Sequence, residues 1–178
     1  MKTKFIATLL LVSLPALSQA AVRAPKMILG WLETTQILGS DMRIKTKLDV
    51  GAKTSSMQAT NIEYFEKNGK KWVRFDFTDE DVDTEQPHTL RLEGPLVREA
   101  EIKRHGAPNV TRPVVTKEIC VYNQLYRTEF TLTDRGNFNY AILLGRSFLS
   151  KVALVDSSSA FLSRPNCEGD TTVLDIKD

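Results

Sequence analysis

The chain has 178 residues, and 24 lysines and arginines against 22 aspartates and glutamates give it a formal net charge of +2. This length is sufficient for one domain with a hydrophobic core. The near balance of charge argues against a nucleic-acid-binding protein and against a protein of the membrane surface.

The first twenty residues, 1–20, predict a secretory signal peptide. Lys2 and Lys4 form its charged region, residues 5–17 form an apolar core, and Ser18-Gln19-Ala20 is a small-x-small cleavage site. The apolar core is too short for a permanent membrane-spanning helix, and no later apolar run is longer. We therefore expect an exported protein, with a periplasmic location and no membrane span.

The mature chain, residues 21–178, is expected to form a single domain. Loss of Lys2 and Lys4 leaves 22 basic residues against 22 acidic ones. Export would place Cys120 and Cys167 in an oxidising compartment, where a disulfide between them is expected. Two unpaired thiols are the alternative.

Histidine is scarce in this sequence. His88 and His105 stand apart in polar surroundings, and there is no His-Glu-x-x-His motif. No glycine-rich nucleotide-binding loop is visible either. We expect no metal site and no cofactor.

The mature chain has the pattern of strands separated by turns, with little helical periodicity. Residues 28–38 and 42–49 predict the first two strands. Residues 56–65 and 71–78 predict the next two, and Asn68-Gly69 predicts a hairpin between them because this dipeptide suits a tight two-residue turn.

Apolar residues alternate with polar ones in the fourth of these strands. Val73, Phe75 and Phe77 lie on one side, so that face is predicted to be buried. Strand patterns continue through residues 90–103 and 114–133.

One short helix is predicted at residues 146–151, directly after the break at Gly145, and residues 152–155 return to a strand pattern. Many short strands with little helix predict an all-β fold, in the form of a small closed β-barrel.

The stretch from Lys47 to Ser56 contains the candidate functional residue. A strand-like run ends at Asp49, and Gly51 allows a close approach of the backbone in the loop that follows. A carboxylate held in this position could activate a water molecule. The alternative is an Asx turn that closes a hairpin.

Five motifs follow one another along the chain in an order typical of one protein family. They are Asp49-Val50-Gly51-Ala52-Lys53-Thr54-Ser55, Thr111-Arg112-Pro113-Val114-Val115, Leu132-Thr133-Asp134-Arg135, Leu143-Leu144-Gly145-Arg146 and Val155-Asp156. Their order resembles that of the retropepsin-like aspartic peptidases. Within them it is most similar to a bacterial family also called ATP-dependent zinc proteases or RimK-related retropepsin-like proteins. The resemblance implies the acid-protease fold, in agreement with the strand pattern.

The resemblance also implies a role for each residue of two motifs. Asp49 would be the catalytic acid and base. The active-site loop would consist of Val50, Gly51, Ala52, Lys53 and Thr54, supported from beneath by Leu143, Leu144, Gly145 and Arg146.

Aspartic peptidases use two carboxylates that share one proton, because like charges so close together cannot both ionise. The chain has a second Asp-x-Gly sequence at Asp134, but Asn137 follows where the catalytic motif has alanine, and the resemblance implies a structural aspartate there. The second carboxylate would therefore be Asp49 of another copy, in a symmetric homodimer.

Val50 departs from the family pattern, which usually has threonine after the catalytic aspartate. In the fold that the chain resembles, this hydroxyl binds the backbone across the dimer seam. Its loss would leave buried backbone groups unpaired, at a cost of about 1–3 kcal/mol each. The alternative function is thus a catalytically weak or inactive peptide-binding module.

Lys53 is a second departure, since viral retropepsins have an acid at this position. Lys53 and Arg146 would both lie near the cleft and would favour substrates that carry carboxylates. Alternatively, both pair with structural acids such as Asp156.

We therefore expect an exported, homodimeric aspartic endopeptidase that acts on periplasmic peptides or proteins, among which Lys53 and Arg146 would favour acidic ones. A metallopeptidase is a further alternative, disfavoured by the scarcity of histidine. The family is often associated with ATP-grasp ligases that add amino acids to peptide ends, which implies a functional link to such a ligase.

Overall fold

The computed structural model describes residues 25–104, 106–167 and 171–176. The predicted signal peptide, residues 1–20, lies outside the described residues. Within those ranges the chain forms eleven strands and one short helix, which confirms the prediction of a mostly β fold. The elements are β1 (Met27–Ile37), β2 (Arg43–Asp49), β3 (Ser56–Gln58), β4 (Thr60–Lys67), β5 (Lys70–Glu80), β6 (Pro87–Arg104), β7 (Ala107–Val121), β8 (Gln124–Thr133), β9 (Ile142–Gly145), α1 (Arg146–Val152), β10 (Ala153–Ala160) and β11 (Val173–Asp175).

The strands are hydrogen-bonded in the order β10-β1-β2-β9-β3-β8-β7-β6-β5-β4, and β11 pairs with β8. An additional antiparallel pairing between β1 and β7 connects two distant positions in this order. The pairings β1-β2-β9-β3-β8-β7 and back to β1 therefore form a ring of six strands. β5 and β4 extend from the ring through β6, whose first half pairs with β5 and whose second half pairs with β7.

The predicted hairpin at Asn68-Gly69 is confirmed, since β4 and β5 pair across it. Both residues have positive φ angles, 54° and 68°, as a type I′ turn requires. Val73, Phe75 and Phe77 are fully buried, which confirms the predicted inner face of β5.

The predicted helix is confirmed as α1, a single element of seven residues with Phe148, Leu149 and Val152 buried. The ring of Phe148 meets that of Tyr126 edge-on, with centroids 5.3 Å apart. The helix is thus fixed to the core directly after the strand that carries Gly145.

Glu33 on β1 is a fully buried carboxylate. Oε1 accepts hydrogen bonds from the amides of Gly30 at 2.6 Å and Leu162 at 3.0 Å, and Oε2 accepts bonds from the amide and hydroxyl of Ser163, each at 2.9 Å. Because two of these four bonds reach Glu33 from Ser163 and one from Leu162, the carboxylate holds the segment after β10 against the first strand.

A disulfide joins Cys120 on β7 to Cys167, with Cα atoms 5.9 Å apart. Beside it, the amide of Asn166 donates to the carbonyl of Tyr122 at 2.6 Å. These bonds attach the segment after β10 to the β7–β8 turn. Within the part of the chain that the structure describes, no helix is long and apolar enough to cross a membrane.

Candidate active site

Asp49 is the last residue of β2, and its position is set by a parallel neighbour. β2 pairs with β9 in the register Leu48–Leu144 and Asp49–Gly145. Leu48 and Leu144 are buried. The core therefore fixes both strands immediately before each reaches the surface, and Asp49 emerges beside Gly145.

The carboxylate of Asp49 is oriented by its own loop. Oδ1 accepts hydrogen bonds from the amides of Gly51 at 3.0 Å and Ala52 at 3.2 Å. Oδ2 lies 3.1 Å from Nζ of Lys47, and 25% of the Asp49 side chain is exposed. The group is thus held in one orientation and remains open to a ligand.

Two opposing effects act on the pKa of Asp49. Partial burial raises it, whereas the Lys47 ammonium and the amides of Gly51 and Ala52 lower it. The net result is a pKa below the ordinary value of 3.8. In a single chain Asp49 is therefore ionised at neutral pH, in the form that accepts a proton from water.

Gly145 supports the loop from below, and only glycine fits this position. A Cβ atom on Gly145 would lie 2.6 Å from the carbonyl oxygen of Thr54 and closer still to the carbonyl carbon. The next two backbone amides also bind the loop. The amide of Arg146 donates to the carbonyl of Ala52 at 2.8 Å, and the amide of Ser147 donates to the carbonyl of Lys53 at 3.0 Å. The two motifs that the sequence analysis singled out are thus in direct contact.

Ser55 closes the loop, a role that the sequence analysis did not predict. Its Oγ accepts the amide of Gly145 at 3.1 Å. Its carbonyl accepts both the amide and the hydroxyl of Thr131, each at 3.0 Å. The run of small hydroxyl residues after Ala52 is the signal that could have indicated this role.

The side chain of Arg146 folds over the loop instead of reaching an acid. Nη1 donates to the carbonyl of Val50 at 2.9 Å and lies 3.4 Å from that of Gly51. The described ion pairs include none between Arg146 and Asp156, whose carboxylate accepts the amide and the hydroxyl of Ser158. Arg146 therefore stabilises the loop.

Val50 and Lys53 both lie at the outer surface of the loop. Lys53 is exposed. Val50 has 56% of its surface exposed, which is large for an apolar residue beside a fixed carboxylate.

The second Asp-x-Gly sequence lies at the end of β8 and is used differently. Oδ1 of Asp134 accepts the amide of Gly136 at 2.8 Å and Nε2 of Gln58 at 3.4 Å. Gln58 in turn accepts the amide of Arg135. Asp134 thus shapes a turn, as the sequence analysis expected.

Arg135 ends the third of the five motifs in the sequence, where no role was expected for it. Only 8% of it is exposed. Its guanidinium donates to the carbonyl of Tyr140 at 2.9 Å and to Oγ of Ser56 at 3.3 Å, and it lies over the ring of Phe138 at 4.7 Å. It is a buried cation close to the active-site loop.

Among the described residues, no group of three or more His, Cys, Asp or Glu side chains is arranged to hold a metal ion. His105 lies outside the described residues.

Comparison with known proteins identifies relatives of two kinds. A sequence from Shewanella pealeana is 33% identical over 134 residues, which are 75% of this chain and 28% of that protein. A second, from Shewanella halifaxensis, is 34% identical over 118 residues, 66% of this chain and 25% of that protein. Both are named "Probable alpha-L-glutamate ligase". The chain thus spans about a quarter of the length of these curated relatives.

A solved structure is also similar. The crystal structure of a protein of unknown function from Legionella pneumophila superposes with a TM-score of 0.65 at 29% identity, covering 78% of this chain and 98% of that one. The family model described as the RimB-like retropepsin-like aspartic endopeptidases matches residues 28–166. The chain belongs to this RimB-like family.

Proposed function

We propose that the chain is an exported aspartic endopeptidase that cleaves periplasmic peptides or proteins as a homodimer, with Asp49 of each copy in one active site. The observation that supports this proposal most directly is the geometry of Asp49. One carboxylate, oriented by the amides of Gly51 and Ala52, stands on a loop that Gly145 and Arg146 fix from below. Rigid support of this kind is what a catalytic group requires.

The chemistry explains why two copies are proposed. One ionised carboxylate accepts a proton from water as the water attacks the scissile carbonyl carbon. A second, protonated carboxylate donates to the carbonyl oxygen, and a proton then passes to the leaving amine as the C–N bond breaks. A lone Asp49 with a lowered pKa supplies only the first role. A second Asp49 close to it would raise one of the two pKa values and supply the acid.

The exposed side chain of Val50 supports a contact with a second copy at this loop. Burial of such an apolar surface against a twofold-related loop would stabilise the dimer. In this proposal the ring of six strands is the small closed barrel of the retropepsin fold. The disulfide between Cys120 and Cys167 fits export, because such bonds persist in oxidising compartments.

The substrate is proposed to be acidic, and the protein is proposed to have a functional link to an ATP-grasp ligase. Lys47, Lys53 and Arg146 place three positive charges in or beside the active-site loop, where they would attract carboxylates. The glutamate-ligase name of the Shewanella relatives supports the link.

A peptide-binding module without activity is the second candidate, and Val50 is the observation that favours it. The valine has no hydroxyl to bind the partner's backbone, so the dimer seam lacks the hydrogen bond that threonine would make. In this case the protein would bind peptides whether or not Asp49 is present.

The deciding experiment incubates the wild type, Asp49→Asn and Asp134→Asn with a diverse peptide library and identifies products by mass spectrometry. We expect cleavage by the wild type and by Asp134→Asn, and none by Asp49→Asn. Mixing the wild type with excess Asp49→Asn should suppress cleavage through mixed dimers. A fully active monomer in sedimentation analysis would refute the proposal, and binding without cleavage would favour the module.

A further inference from the structure

The sheet of β4, β5 and the first half of β6 ends in a strand with an open edge. Within the described residues β4 pairs with β5 alone, and it is the last strand in the hydrogen-bonded order. An open edge presents unpaired backbone donors and acceptors, which can bind another extended segment. The edge of β4 is therefore a candidate docking surface.

The turn at Asn68-Gly69 determines which backbone groups of β4 are free. In a hairpin with a two-residue turn, the pair that flanks the turn is hydrogen-bonded, and here that pair is Lys67 and Lys70. Because the bonding direction alternates from residue to residue, Glu66 and Tyr64 point their amides and carbonyls away from β5. A segment laid along β4 would thus find two donors and two acceptors at these residues.

A cavity of about 430 Å³ opens beside this edge. It arises because β6 leaves β5 after Pro95 and pairs with β7 from Leu96 onwards, so that the second half of β6 and the end of the β4–β5 hairpin border a common space. Its lining residues are Tyr64, Phe65, Glu66, Lys71, Leu96 and Glu99. They lie on β4, β5 and β6, whereas the Asp49 loop rests on β9 and α1, so the cavity is separate from the candidate active site.

The cavity combines an aromatic ring with a carboxylate that lacks a strong partner. Within the described residues the partner of Glu99 is the neutral hydroxyl of Tyr64, which donates to Oε1 over 3.5 Å. Burial and the negative charge of Glu99 raise the pKa of Tyr64. An ammonium or guanidinium group would bind Glu99 more strongly than this hydroxyl does, and the face of the ring would attract it as well.

The other two charges of the cavity lie opposite each other. Glu66 and Lys71 are cross-strand neighbours in the β4–β5 pairing, so they offset one another. The negative charge of Glu99 therefore remains as the net charge of the lining. A positively charged side chain is the ligand that complements it.

A second copy of β4 does not supply this cation. The one lysine of the strand, Lys67, is already bound to Glu93, and the other charged residues of the strand are Glu63 and Glu66. Two paired copies of β4 would bring glutamates together instead of placing a cation beside Glu99. The charges therefore favour a different protein as the occupant.

We propose that the open edge of β4 docks an extended segment of another protein, with a lysine or arginine side chain of that segment in the cavity between Tyr64 and Glu99. The segment adds to the sheet as a further strand through the backbone of Tyr64 and Glu66. This site is additional to the proposed function and does not depend on cleavage at Asp49.

The test uses two fluorescent decapeptides of alternating threonine and valine that are identical except for one central residue, lysine or glutamine. Each is titrated with the full chain carrying Asp49→Asn, so that the measurement reports binding alone. We expect the lysine peptide to bind about tenfold more tightly, because its bond to Glu99 is charge-assisted. Adding Glu99→Gln should bring the ratio of the two affinities close to one.

Glu101→Gln is the matched control. Glu101 is an exposed glutamate two residues further along β6, outside the cavity, and it accepts a hydrogen bond from Asn109 at 2.8 Å. Its replacement should leave the affinity ratio unchanged. Equal affinity for the two peptides, a preference that survives Glu99→Gln, or no binding of either peptide would overturn the proposal.

Glu66→Pro tests the strand edge itself. Proline removes an amide that points away from β5, so the hairpin is retained while both peptides should bind at least tenfold more weakly. Circular dichroism checks the fold, and Glu99→Gln keeps the test decisive if this variant does not fold. Unchanged peptide binding by folded Glu66→Pro would overturn the proposal. So would loss of self-association in sedimentation analysis without loss of peptide binding, since the occupant would then be a second copy. Absence of cleavage with an intact lysine preference would overturn only the proposed function.

Discussion

Gly145 and Thr54 are packed so closely that no side chain fits between them: a Cβ on Gly145 would lie 2.6 Å from the carbonyl oxygen of Thr54. This contact joins the end of β9 to the loop that carries Asp49. The position of the carboxylate therefore depends on a residue that has no functional group.

Gly145→Ala should destabilise the fold and displace the loop. Forcing a methyl group into this contact is expected to lower the free energy of unfolding by about 1–3 kcal/mol, which chemical denaturation would measure. Any peptidase activity should fall by more than the loss of folded protein. Gly94→Ala is the control, because a Cβ atom on Gly94 would have its nearest neighbours at 3.3 Å. Gly94 lies on β6, remote from Asp49. Equal effects of the two changes would contradict the expected role of Gly145.

Val50→Thr should strengthen the proposed dimer. The exposed valine has room for a hydroxyl, and threonine is similar in size and supplies a donor and an acceptor. Each net hydrogen bond contributes about 0.5–1.5 kcal/mol, and symmetry provides it twice, so the dimer dissociation constant should fall roughly tenfold or more.

Sedimentation equilibrium measures this constant for each variant, with Val97→Thr on β6 as an exposed control. An unchanged or weaker dimer for Val50→Thr would argue against a seam at this loop. A melting temperature for each variant shows whether the fold itself has changed.

Lys47→Gln should raise the pKa of Asp49 towards 3.8. Lys47 and the loop amides hold the folded-state value below that of the unfolded chain, so they contribute stability above about pH 3.8 that is lost as pH falls through the folded-state pKa. The wild type should thus be the more stable protein at neutral pH, and the difference should vanish in acid.

Carbon-detected NMR of the Asp49 carboxyl, with denaturation at neutral and acidic pH, would measure both effects. Lys45→Gln, two residues earlier on the same strand, is the control and should leave the Asp49 titration unchanged. A similar shift in both variants would indicate a long-range effect of net charge instead of the Lys47 contact.

Removal of the disulfide by Cys120→Ala together with Cys167→Ala should lower the free energy of unfolding by about 4 kcal/mol, because the bond closes a loop with a sequence separation of 47. Chemical denaturation of both forms measures the difference. Mass spectrometry of non-reduced material from the periplasm should find no free thiol. Two freely alkylated cysteines would refute both the bond and its expected contribution.

Local signals in the sequence predicted the local structure well. The turn at Asn68-Gly69 was predictable because both residues readily adopt the positive φ angles that it requires. The buried face of β5 was predictable because Val73, Phe75 and Phe77 alternate with polar residues. The break at Gly145 likewise predicted α1. Each of these features depends on residues that are neighbours along the chain.

Features that depend on distant residues were not predictable in the same way. In the sequence, Glu33 looks like an exposed strand residue. Its burial depends on Leu162 and Ser163, which the fold places beside it as hydrogen-bond donors. Arg135 follows an ordinary turn aspartate, and its burial arises from Ser56 and Tyr140. A single sequence contains no record of such pairings, so the burial of Arg135 close to the Asp49 loop emerged only from the structure.

The bonds of Glu33, together with the parallel pairing of β1 with β10, have a consequence for how the chain acquires its structure. The first strand described, beginning at Met27, obtains two of its partners only from residues beyond 152. During synthesis this edge of β1 therefore stays unpaired until almost the entire chain has been made. Native pairing there closes a very long loop. We expect the slow step of folding to be the docking of residues 153–163, and a chain truncated before them to present an open strand edge to other chains.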